Sequence, residues 1–115
     1  MSDLSLVSVK INNNYIESGD RTVIQTVWQN VGDSLPDFNA KIVAEIRFSG
    51  RQRIDLAQKN SFRFEWTPFP STDMWRSGNI WTTAGVFKFP ALWGGSYKIS
   101  ISLLDENGKS IAFIG

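Results

Sequence analysis

The run KIVAEIRF places Ile42, Ala44, Ile46 and Phe48 on one side of an extended chain and Lys41, Val43, Glu45 and Arg47 on the other. A period of two buries a single face only in a strand; a helix would scatter the same residues around its circumference. SFRFEW repeats the alternation, with Phe62, Phe64 and Trp66 inward and Ser61, Arg63 and Glu65 outward. SYKISISLL does so through Tyr97, Ile99, Ile101 and Leu103. RTVIQTVWQN reads as a strand on its β-branched content, with Ile24, Thr26 and Trp28 inward. LSLVSVKI, VFKFP around Phe87 and SIAFIG are shorter candidates.

Between these runs stand ESGD, NVGDSLPD, FSGR, PFPSTD, LWGGS and DENGK, rich in the residues that turn a chain. Asn107 and Gly108 predict a tight type I′ hairpin, whose two central residues both need positive φ. Only DLAQKN suggests a helical turn. About seven or eight strands in 115 residues predict an all-β, two-sheet antiparallel sandwich, because one face of each strand must be covered. No repeat or linker divides the chain, so residues 1–115 read as a single domain.

Composition narrows the chemistry. There is no Cys and no His, which removes disulfides, thiolate catalysis, the usual general base and the commonest transition-metal ligands. The expectation is a non-enzyme. Asp33, Asp37, Asp55, Asp73 and Asp105 adjoin turn residues and read as turn formers rather than paired catalytic carboxylates. No cofactor is implied; loop carboxylates and carbonyls could hold a structural calcium, but no D-x-D-x-D-type loop is present to support one. A net charge of +1 gives no footprint for nucleic acid or an anionic membrane. Lys41, Arg47, Arg51 and Arg53 form a small basic patch that a solvated sheet face explains. MSDLSLVSVK has neither the charged n-region nor the apolar h-region of a secretory signal.

The aromatic residues divide into two groups. Trp28, Trp66, Phe48, Phe87 and Phe113 supply a core, and Tyr97 resembles a tyrosine corner. Trp75, Trp81 and Trp93 are surplus to that core and adjoin glycine or other turn residues. Exposed indoles mark a binding surface, and a pyranose ring offers an apolar face to stack on them. Asp73, Arg76, Asn79 and Gln29 would meet the sugar hydroxyls, with Tyr15 as a weaker aromatic candidate. The alternative is that the trio caps an open end of the sandwich.

A second line of reading starts from TVWQNVGDSLP, where a strand ends in N-x-G (Asn30, Gly32) and Pro36 follows. WRSG (Trp75, Gly78), Pro90, GSY (Gly95, Tyr97) and ISISLLDENGKSI continue the order. Together these resemble an immunoglobulin-like accessory domain of bacterial glycoside-hydrolase-type enzymes, over residues from about 20 to the C-terminus. The resemblance implies a module of a larger extracellular or cell-surface protein, covalently joined to a catalytic domain. The expected function is carbohydrate binding: Trp81 and Trp93, with Trp75 in support, stack on a plant-type polysaccharide such as β-glucan and target the attached hydrolase. The alternative is a spacer that packs against the neighbouring catalytic domain and has no glycan ligand. The isolated domain is expected to be a monomer.

Overall fold

The computed structural model describes residues 3–11, 21–48, 61–88 and 97–115. Seven strands form: β1 (Leu4–Ile11), β2 (Arg21–Asn30), β3 (Lys41–Phe48), β4 (Ser61–Trp66), β5 (Ile80–Lys88), β6 (Tyr97–Leu104) and β7 (Ser110–Ile111). They make two antiparallel sheets, ordered β1-β2-β5 and β4-β3-β6-β7. This is an immunoglobulin-like sandwich in which the fourth strand pairs with the third rather than joining the first sheet.

The alternations set the faces as expected, except at Val43 of β3, which is expected outward but is buried. Along β2, Thr22, Ile24, Thr26, Trp28 and Asn30 are buried in strict alternation with more exposed neighbours. Across the sandwich, Ile42, Ala44 and Ile46 of β3 pair with Trp66, Phe64 and Phe62 of β4, and with Leu103, Ile101 and Ile99 of β6. The core has two parts. One gathers Leu4, Trp28, Ala40, Ile42, Trp75 and Leu103; the other gathers Ile24, Ala44 and Ile46, flanked by Phe64 and Phe87. Phe64 and Phe87 stack at 4.7 Å.

A polar chain lies within this apolar interior. Trp28 Nε1 donates to Thr26 Oγ1 (2.8 Å), and Trp66 Nε1 donates to Thr83 Oγ1 (2.9 Å). The two hydroxyls are 3.2 Å apart. Each indole N–H, which would be costly to bury alone, is therefore met.

Three elements depart from the sequence expectation. The strand near Phe87 begins at Ile80, so Trp81 is a strand residue and not part of a loop. Its inward row of Trp81, Thr83, Gly85 and Phe87 is hard to read because Thr83 and Gly85 occupy core positions. Gly85 is required there: a Cβ would come within 2.5 Å of the Phe87 ring. The β6–β7 turn is wider than a type I′ hairpin. Gly108 has φ +80 but Asn107 is not at positive φ, and Asp105 Oδ1 accepts from the N–H groups of Asn107 and Lys109, both at 2.9 Å. Third, the closing run SIAFIG changes sheets. Ser110 and Ile111 pair with β6; then Ile114 meets β1, donating to Leu4 O (2.9 Å) and accepting from Leu6 N (2.7 Å). The DLAQKN turn lies outside the described residues.

Candidate functional site

Strand direction decides which loops meet. β2 leaves its sheet at Asn30 and β5 enters at Ile80; in the other sheet β3 enters at Lys41, while β4 leaves at Trp66 and β6 at Leu104. Segments 31–40, 67–79 and 105–109 therefore occupy one end of the sandwich, where β1 also begins. Asp73, Trp75, Arg76, Asn79 and Trp81 all lie at this end. Trp93 and Tyr15 lie outside the described residues. Of the strand ends that flank Trp93 in sequence, Lys88 is at the far end of β5 from Trp81, about 23 Å along the strand, and Tyr97 begins β6 at that same end of the other sheet.

Asn30 holds this end together. Its Nδ2 donates to Trp75 O and to Ser34 O, both at 2.9 Å, and its Oδ1 accepts from Gly32 N at 3.0 Å. Its backbone carbonyl accepts from Gly78 N at 2.7 Å. The N-x-G and W-x-x-G stretches are thus two halves of one pin that ties loop 31–40 to loop 67–79. Both glycines have a local reason to be there. Gly78 has φ +81, and a Cβ on Gly32 would overlap the Asp3 side chain at 2.3 Å.

The pin fixes Trp75, and here the expected stacking role is corrected. Trp75 is 0% exposed. Its Nε1 donates to Pro70 O at 2.9 Å, and its ring lies 6.5 Å from Trp28. A sugar has no access to a ring sealed in this way. The sequence neighbours of Trp75 are polar, but tertiary structure supplies the apolar surroundings: the indole reaches back between the sheets from the end of a 3₁₀ turn over Thr72–Met74.

Trp81 is half-buried. It sits opposite Trp28 in the β2–β5 register and stacks on Trp75 at 6.1 Å with only 8° between the ring planes. Its Nε1 is buried without a hydrogen-bond partner among the described residues. Asp73 is engaged in the turn: it accepts from Ser71 Oγ at 2.7 Å and, with the Asn39 amide nitrogen turned toward it, from Asn39 at 2.9 Å. Arg76 and Asn79 are exposed on the turn between the pin and β5. The structure thus brings five of the six sequence-chosen residues to one end, but packs two of the indoles on each other instead of side by side on the surface.

Sequence reasoning missed the exposed apolar side chains of this end. Phe69 is 94% exposed, and Val31, Leu35, Met74 and Ile80 are each more than half exposed. PFPSTDM held the only signal, a Phe set between prolines with no strand to carry it. Beside them, a cleft of about 290 Å³ is lined by Asp3, Leu4, Asn30, Ser34, Leu35, Pro36, Asp37 and Phe38. Among the described residues, no group of three or more carboxylates is placed to hold a metal ion. Compared with protein-family models and with curated proteins, the chain finds no match.

Proposed function

We propose that this is a non-catalytic accessory domain that docks the end formed by loops 31–40 and 67–79 onto a neighbouring polypeptide surface. The observation that carries the reading is the exposure of Phe69, Met74, Leu35, Val31 and Ile80 at one end of a small domain. Solvent gains nothing from such a concentration of apolar side chains, and a protein surface covers it favourably. Asp3, just before β1, shares the cleft with Leu35, so the start of β1 lies beside these residues. That position suits a domain attached to a larger enzyme, the arrangement implied by the resemblance to glycoside-hydrolase accessory domains.

Carbohydrate binding is the second reading, favoured by the part of Trp81 that stays exposed near Arg76 and Asn79. It ranks below docking because Trp75 is sealed and Trp81 is stacked against it. Amide hydrogen exchange separates the two. Residues 31–40 and 67–79 should gain protection in the full native polypeptide relative to the isolated 115-residue chain, and Phe69→Ser with Met74→Ser should remove that gain. Retardation of the isolated chain on a β-glucan affinity gel, abolished by Trp81→Ala, would overturn docking in favour of the glycan.

A further inference from the structure

We propose that β5 is a self-pairing edge, through which two copies of this chain associate about a two-fold axis at Ala84. Among the described residues the two sheets have four edges, and three of them are guarded. Ile114 occupies the start of the β1 edge, and Lys10 stands exposed near its other end. The edge opposite β4 is β7 for two residues and β6 beyond them, where Lys98 stands exposed. The β4 edge carries Arg63 and Glu65, paired at 2.9 Å. Short length, charge and cover are the means by which edge strands avoid pairing with other chains.

β5 has none of these. It runs for nine residues without proline and pairs with β2 in unbroken register from Ile80 opposite Gln29 to Lys88 opposite Arg21. Among the described residues no strand pairs with its other side. Its only charge is Lys88, at one end. The outward row of Ile80, Thr82, Ala84 and Val86 is exposed, and it continues into Val23, Gln25, Val27 and Gln29 of β2. The middle of this face is without charge, so a charged peptide would find no counter-charge there. A neutral strand suits it, and β5 is itself such a strand.

Antiparallel pairing about Ala84 sets Thr82 opposite Val86 of the second copy, Thr83 opposite Gly85 and Trp81 opposite Phe87. The outward pair joins two β-branched residues, a favourable cross-strand combination. The two Lys88 side chains fall at opposite ends, about 26 Å apart along the strands, so like charges never meet. The product is a six-stranded sheet whose outer face is uncharged along the central pair of β5 strands from Ile80 to Val86, with Lys10, Arg21 and Lys88 of each copy farther out. This departs from the monomer expected from the sequence alone.

Sedimentation velocity on the 115-residue chain tests the proposal. A dimer should form as concentration rises toward about 1 mM. Ala84→Lys, at an exposed position, should raise its dissociation constant by roughly tenfold or more while leaving the unfolding midpoint in place. T82K and V86E should each weaken self-association, and mixing the two should restore a heterodimer, because this register sets the new charges opposite each other. A wild-type chain that stays monomeric throughout would overturn the proposal. So would a dimer indifferent to all three substitutions, or weakened singly without rescue on mixing.

Discussion

The two parts of the core are built on different principles. Around Ile24, Ala44 and Ile46 the packing is aliphatic and phenyl apart from Trp66, which borders both parts, and shape largely sets it. Around Trp28 and Trp75 it is indolic, and most rings carry a polar group that needs a specific partner: Thr26 for Trp28, Thr83 for Trp66 and Pro70 O for Trp75. A purely apolar core accepts volume-conserving exchange. An indole core is directional, since a misplaced ring strands a buried N–H. The directional half is the half that meets loops 31–40 and 67–79. Where long loops must be held in one shape, shape-matching is supplemented by hydrogen bonds that allow few alternatives.

Substitutions can break this contrast. The largest effect should come from Trp75→Ala, which empties a fully buried ring site and frees the loop that the ring anchors; a loss of about 3–5 kcal/mol in chemical denaturation is expected. Ile46→Val in the aliphatic part should cost only about 0.5–1.5 kcal/mol by the same measurement. Equal losses at the two sites would erase the distinction. Asn30→Ala should come next, at about 1–3 kcal/mol, because Gly32 N–H and two loop carbonyls lose their partner together. Its diagnostic sign is faster amide exchange in both loops while the centre of β3 stays protected. The smallest effect should come from Trp81→Phe. It removes the one indole N–H without a partner among the described residues, and that relief offsets much of the lost ring area. Stability should stay within about 1 kcal/mol of wild type. A loss as large as that of Trp75→Ala would mean that the Trp81 N–H has an acceptor after all.

The strands were legible wherever side chains alternate by polarity, as in KIVAEIRF, SFRFEW and SYKISISLL. The start of β5 was not legible, because its inward row contains Thr83 and Gly85. Thr83 is at home in the core only through its bonds to Trp66 and Thr26, and Gly85 only because of the Phe87 ring. Both reasons lie on other strands or in three-dimensional packing. The same holds for the site. STDMWRSGNIW correctly drew notice to Trp75 and Trp81, but their polar neighbours suggested exposure. A residue's burial is decided by what folds over it, and Trp75 is covered by residues as distant in sequence as Leu4 and Leu103. The N-x-G and W-x-x-G stretches could be seen as motifs, but not that Asn30 joins them.

The crossing of the closing run to β1 gives the fold a mechanical character. Ile114 runs parallel to Ser5, and its two hydrogen bonds bracket that residue. Tension applied between the two chain ends acts along this pair, so both bonds must stretch at the same moment. An antiparallel pairing at the same place would open like a zip, one bond at a time. Traction between whatever is fastened to either end therefore meets its resistance first at Leu4, Leu6 and Ile114.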